Sequence, residues 1–202
     1  MILSFMESLG LLGIFFVVFA ESGLFFCFFF PGGSLLFSSG LLASVGYFNI
    51  LYLFFGSFLF AVLGDSVGYW TGKKFGPIIF SKPNSFFFNK NNLDKTAKFY
   101  DKYGKKTIVL ARFVPIVRTF VPIMAGAGNM KYDNFISYNI LGAFLWTGSF
   151  ILGGYFLGNS VPNINHYILP IIIIIVILSL VPIIGDIFIK KIICFFNKKR
   201  IE

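Results

Sequence analysis

The chain has 202 residues, 57% hydrophobic and 12% charged, with a mean hydropathy of +0.84. A soluble domain carries about a quarter charged residues, and thirty phenylalanines are more than one small water-soluble core can bury. Composition therefore excludes an ordinary soluble protein and predicts one all-α, polytopic membrane domain over 1–202. The net charge of +9 is uneven: nine lysines lie between Lys73 and Lys106 against Asp94 and Asp101, and five more basic residues between Lys190 and Arg200. Both clusters flank apolar spans, which favours the positive-inside rule over nucleic-acid binding and predicts that loop 71–106 and the tail are cytoplasmic. The same clusters suit anionic lipid headgroups.

In chain order, the N-terminus lacks a basic n-region and an A-x-A cleavage site, so the first apolar run is expected to be retained. Residues 1–46 read as an N-terminal helix and a first broken segment. The run 11–46 carries one charge, Glu21, and a continuous helix of that length would overshoot a bilayer core of about 30 Å. Pro31, Gly32 and Gly33 break it, giving a helix to about Phe30 and a limb from Ser34 to Val45. Residues 47–70 fit a span entering the lysine loop, whose end, "LDKTAKFYDKYGKK" at 93–106, reads as a basic amphipathic helix on the inner surface. Residues 134–157 and 167–189 fit two more spans, the last kinked at Pro182, and 190–202 form the basic tail.

Residues 107–130 contain "ARFVPIVRTFVP", two arginines and two prolines in an apolar run. If the lysine loop and the tail share a side, an even number of crossings separates them. Spans 134–157 and 167–189 already supply it, so 107–130 must enter and return as a re-entrant hairpin with breaks at Pro115 and Pro122. Irregular backbone at that depth requires protein or a wet cavity beside it. The predicted fold is an inverted repeat: two re-entrant helical hairpins, each followed by a transmembrane helix, plus a C-terminal transmembrane helix. Trp-Thr-Gly recurs at 70–72 and 146–148. Such repeats place a binding site where the breaks meet. The charge pattern leaves open whether residues 11–30 cross fully.

Charges at membrane depth are costly and face a cavity or a partner. Glu21, Arg112 and Arg118 qualify, and Asp65 lies nearer the inner end of its span. On an unbroken helix, residues six apart stand about 120° apart; a break at Pro115 frees the arginines to converge. Arginine's planar fork suits phosphate, so one reading is a phosphate-binding pair. The other has each arginine holding hairpin carbonyls, or pairing with Glu21 or Asp65 to brace the fold. Glu21 reads as a proton carrier or as half of a structural ion pair, and the two are compatible. The glycines of "PGG" at 31–33 and "AGAGN" at 125–129 suit turns and close helix packing. One histidine, His166, and two distant cysteines, Cys27 and Cys194, offer no metal site or disulfide. No nucleophile-and-base set, P-loop or dinucleotide fingerprint is present, so neither an enzyme nor a cofactor is expected.

"ESGLFFCFFFPGGSLLFSSGLLAS" at 21–44, "GDSVGYWTGKKFG" at 64–76 and "ARFVPIVRTFVPIMAGAGNMKYDNFISYNILGAFLW" at 111–146 resemble the DedA family, also called the SNARE-associated or VTT-domain family, and its bacterial branch most. The resemblance implies two facing re-entrant hairpins and a lipid-handling transporter of the bacterial cytoplasmic membrane, tied to proton-motive force and envelope integrity. Relatives are implicated in returning undecaprenyl phosphate across that membrane, in aminophospholipid translocation and in lipid scrambling. By position, Glu21 matches the family's membrane glutamate, and Arg112 and Arg118 its essential arginines. The family usually has an acidic residue after Pro-Gly, where this chain has Gly33. That departure weakens the case for proton coupling more than that for lipid binding, and Asp65 is the carboxylate left to compensate. The expected function is a lipid-phosphate flippase with membrane lipids and protons as partners and no nucleic acid. The alternatives are a proton-coupled exporter of small cations or drugs, and a non-transporting scaffold.

Overall fold

A computed structural model describes residues 2–23, 32–79, 106–162, 170–174 and 177. Pro31, both cysteines, His166, most of the lysine loop, most of span 167–189 and the tail lie outside the described residues. Six helices carry the described fold: α1 (Ile2–Gly23), α2 (Gly32–Ser44), α3 (Ile50–Ile79), α4 (Lys106–Ala111), α5 (Pro115–Ala127) and α6 (Tyr132–Ser160). No strand occurs among the described residues.

Among the described residues, two helices are long and apolar enough to cross a membrane, Ile50–Gly76 within α3 and Tyr132–Ser160, with mean hydropathies of 1.9 and 1.6. At 1.5 Å per residue each exceeds a core of about 30 Å. Their outer faces are apolar: Leu51, Tyr52, Phe55, Leu59 and Leu63 of α3 and Phe144, Leu145, Leu152 and Phe156 of α6 are exposed. Water does not favour so continuous an apolar surface; hydrocarbon does. By contrast, α4 has 6 residues and α5 has 13, so neither reaches across alone.

Local chemistry sets the breaks. Val114 is extended at φ −105° and ψ 110°, and α5 opens at Pro115. A proline disfavours helical backbone in the residue before it, and is well placed in the first turn of a helix. The break thus falls over Arg112–Val114, just ahead of Pro115. Pro122, expected to be a second break, lies inside α5. A proline removes only one intrahelical bond, and packing against α3 holds the helix on both sides of it. Gly33, expected as part of the first break, lies within the first turn of α2, and Gly32 opens that helix.

Both 13-residue helices end alike. After α2, Tyr47 N–H donates to the Leu42 carbonyl (3.0 Å) and Gly46 N–H to that of Ala43 (3.1 Å). After α5, Met130 N–H donates to Ala125 (3.0 Å) and Asn129 N–H to Gly126 (3.1 Å). This is the Schellman pattern, which needs a left-handed residue; Gly46 at φ 83° and Asn129 at φ 54° supply it. Each turn leads directly into a long helix. Asn49 caps α3 by accepting from Leu51 N–H (2.9 Å), and its own N–H donates to Glu7 of α1 (3.2 Å).

The long helices run antiparallel. Phe54, near the start of α3, meets Phe144 in the middle of α6, and Tyr69, farther along α3, stacks on Phe135 (4.9 Å) near the start of α6. Each short helix then lies against the long helix of the other pair: α2 on α6 and α5 on α3 are the two most extensive interfaces among the described residues. Both close to backbone contact. A Cβ on Gly154 of α6 would sit 2.0 Å from the Phe37 carbonyl oxygen of α2, and one on Gly126 of α5 would sit 2.0 Å from that of Tyr69 of α3. The Tyr69 hydroxyl also donates to the Met130 carbonyl, tying α3 to the α5–α6 turn.

The obstacle at Gly154 is backbone, which cannot swing aside. Gly154→Ala is expected to cost about 1–3 kcal/mol and lower the apparent melting temperature in detergent. Gly13, whose added Cβ meets nothing within 4 Å, is the control: Gly13→Ala should match or exceed the parent. Equal melting temperatures for the two variants would show that the close approach does not hold the fold.

Candidate functional site

The described interior holds four charged side chains, all buried: Glu21 near the end of α1, Asp65 on α3, Arg112 in the break after α4, and Arg118 on α5. They come from four different segments, and the fold gathers them. Helix α1 lies so close to α3 that a Cβ on Gly64 would fall 2.7 Å from the Phe19 carbonyl oxygen. That approach brings residues 21–22 beside Asp65. The Val114 break lets the chain turn between the two arginines.

Arg112 is held at three points. Its Nη2 donates to Asp65 Oδ2 and to the Ala61 carbonyl (3.2 Å), and its Nη1 to the Asn139 carbonyl of α6 (2.9 Å). Asn139 is itself anchored, donating from Nδ2 to the Val62 carbonyl (3.2 Å). Arg112 therefore knots the break, α3 and α6 together.

Arg118 is held more lightly. Its Nη1 lies 3.2 Å from Glu21 Oε1, and its Nη2 donates to Ser22 Oγ at 3.3 Å. Its guanidinium carbon stands 4.1 Å from the centre of the Trp146 ring on α6, a cation–π distance. The second carboxylate oxygen of Glu21 points at the first residue of α2: a Cβ on Gly32 would fall 1.5 Å from Oε2. The Gly32 N–H lies beside this oxygen, which nevertheless has no partner in normal hydrogen-bond geometry.

The two arginines do not share one partner; each has its own carboxylate, Asp65 for Arg112 and Glu21 for Arg118. The pairs are electrostatically coupled, since Asp65 feels both arginines and Glu21 feels Asp65. Two carboxylates and two guanidiniums cancel, leaving the cluster formally neutral. Gly33 lies off this cluster, its added Cβ meeting the Phe150 ring at 3.2 Å. No group of three or more His, Cys, Asp or Glu side chains that could hold a metal occurs among the described residues.

Sequence reasoning did not name Ser22, Asn139 or Trp146 as site residues. An amide inside the apolar span 134–157 was a legible signal for Asn139, since polar groups at such depth seek partners. Trp146 stood out only in the Trp-Thr-Gly recurrence, which does not point to an arginine partner, and an aromatic residue in an apolar helix is otherwise ordinary.

Residues 30–156 match the family model of the VTT domain. Protein DedA of Escherichia coli K12 is 44% identical over 171 residues, covering 84% of this chain and 78% of that protein. An uncharacterized membrane protein of Mycobacterium tuberculosis H37Rv is 45% identical over 172 residues, covering 84% and 75%. Another from Mycobacterium leprae is 43% identical over 166 residues, covering 82% and 74%. No solved structure matches the chain significantly. With the VTT domain matched over 127 residues (30 to 156) and relatives of this closeness, the chain is a membrane protein of the VTT-domain, or DedA, family.

Proposed function

We propose that this protein carries a lipid with a phosphate headgroup across the bacterial cytoplasmic membrane, with a polyprenyl phosphate such as undecaprenyl phosphate as the first candidate and a phospholipid as the second. The carrying observation is the guanidinium of Arg118, buried, beside a break in the helical backbone, and held by one carboxylate oxygen, one hydroxyl and an aromatic face. Arginine binds phosphate through a planar fork, and here the fork is secured by contacts weak enough to exchange. Arg112, with an ion pair and two carbonyls, is the fixed member that holds the break in place.

In this reading α2 and the α4–α5 pair are the tips of two re-entrant hairpins, related as an inverted repeat by the antiparallel α3 and α6. The lysine loop and the tail face the cytoplasm. The lipid tails stay in the bilayer while the headgroup passes between the tips. Charge balance supplies the coupling. The resting cluster is neutral, and adding a phosphate to a low-dielectric site without compensation is expensive. A proton taken up by Glu21 offsets the incoming negative charge and releases Arg118 to the ligand.

Reconstitution with labelled polyprenyl phosphate and labelled phospholipid, with and without a pH gradient, tests this. Movement of at least one lipid is expected, accelerated by the gradient, and Arg118→Ala should abolish it. If neither lipid moves, the transport reading fails.

The roles of the two arginines separate in a second measurement. Removing one partner of a buried pair leaves an uncompensated charge, at a cost of about 3–5 kcal/mol, whereas replacing both by apolar residues is often neutral. Arg112→Met should therefore lower the apparent melting temperature sharply, and Arg112→Met with Asp65→Leu should recover most of the loss. A double variant no more stable than the single one would contradict the bracing role of Arg112. Altered stability in all single variants with unchanged transport would favour the scaffold alternative.

A further inference from the structure

We propose that the first turn of α2 is the second half of the anion site, and that the Glu21 carboxylate occupies that site as an internal stand-in for the ligand's phosphate. This rests on the reading of Arg118 as the phosphate-binding arginine and extends it to a helix terminus that supplies the remaining contacts. The chemical class of the ligand is a phosphate group, either a lipid headgroup or free phosphate.

Three observations carry it. First, α2 opens with Gly32-Gly33-Ser34 and has no acidic residue in its first turn. Its leading N–H groups have no intrahelical acceptor, and together with the helix dipole they attract anions. Secondly, Gly32 approaches the Glu21 carboxylate so closely that a Cβ would overlap Oε2 at 1.5 Å. A residue without a side chain is what lets backbone amides approach an anion directly. Thirdly, the Glu21 side chain is only 7% exposed, and its Oε2, aimed at this turn, has no hydrogen-bond partner in normal geometry, while Oε1 is on Arg118. The carboxylate thus spans a guanidinium on one side and a helix N-terminus on the other, and on the helix side it lies close to the Gly32 N–H but outside normal hydrogen-bond geometry. A phosphate has more acceptor oxygens than a carboxylate and is larger, so it can satisfy both sides at once. The groups facing the site are Arg118 from α5, Ser22 beside Glu21 on α1, the amides of α2, and Trp146 of α6 behind the guanidinium. Asp65, on α3, is within electrostatic reach but is held by Arg112.

On this arrangement Glu21 competes with the ligand. The isosteric Glu21→Gln removes the competing charge and leaves Arg118 and the α2 amides in place, so phosphate should bind more tightly. If Glu21 serves only to position Arg118, the same change weakens binding or leaves it unaltered.

The protein offers its own probe, because it has two tryptophans, and Trp146 stacks on Arg118. In a Trp70→Phe background in neutral detergent, Trp146 fluorescence is titrated with farnesyl phosphate, inorganic phosphate and farnesol. Glu21→Gln is expected to tighten farnesyl phosphate binding by about fivefold to tenfold, the scale of a favourable helix-terminus interaction. Adding Gly32→Ala to Glu21→Gln should reverse the gain by blocking the α2 amides, with the melting temperature showing that the fold is kept. Tightening of both phosphates assigns the site to the phosphate group itself; tightening of farnesyl phosphate alone assigns it to a lipid headgroup. Unchanged or weaker binding in Glu21→Gln overturns the stand-in, as does equal tightening of farnesol. Those outcomes leave the role of Arg118 intact, since that role fails separately, if Arg118→Ala binds farnesyl phosphate as well as the parent does.

Discussion

Four charges inside an apolar molecule can be kept only as a neutral set, and the rest of the fold serves that requirement. Glu21, Asp65, Arg112 and Arg118 are each too costly to bury alone. They arise on α1, α3, the α4–α5 break and α5, so no single helix hairpin can neutralise itself. The α1–α3 approach at Gly64, the Val114–Pro115 break and the Asn139 carbonyl of α6 are the means by which these segments reach one another. The cluster is thus both the polar centre of the protein and a reason for its helices to converge.

The exchange of short helices gives that centre its mechanical setting. Because α2 lies on α6 and α5 on α3, each 13-residue helix is connected by a tight turn to one long helix and packed, at backbone contact, on the other. The two long helices cannot shift past each other without carrying a short helix along. Arg112 is tied to α3 and α6 together, while Arg118 touches α1 and α6. A relative movement of the two pairs would therefore load the lighter Arg118 contacts before the three-point Arg112 knot.

Much of this was legible in the sequence, and the limits are physical. The two long apolar runs announced α3 and α6, because burial in hydrocarbon leaves a composition that no local interaction can mask. The pairing of a proline with a required extended residue placed a break beside Arg112. Pro122 carries the same local signal yet sits inside α5, because contacts made far away in the chain hold the helix through it; a breaker's effect depends on what surrounds it. The charges themselves were visible, but not which carboxylate each arginine would take, since that depends on the α2–α6 and α3–α5 exchange. The Trp146–Arg118 stacking and the Glu21–Gly32 approach are products of the same tertiary geometry and have no sequence signature.

That geometry also bears on the position where this chain departs from its family's pattern. The family usually has an acidic residue where this chain has Gly33, and Asp65 is the carboxylate left to compensate. The fold bears on both options. A Cβ at Gly33 would meet the edge of the Phe150 ring at 3.2 Å, so a side chain there needs that ring to shift. Asp65 is bound to Arg112, in the knot that holds the break, the least exchangeable part of the cluster. In the proposed transport, Glu21 is the carboxylate best placed to carry a proton, since its arginine is lightly held and its second oxygen faces a helix N-terminus. Coupling would run through one carboxylate instead of two, and the same residue would both block the anion site and open it.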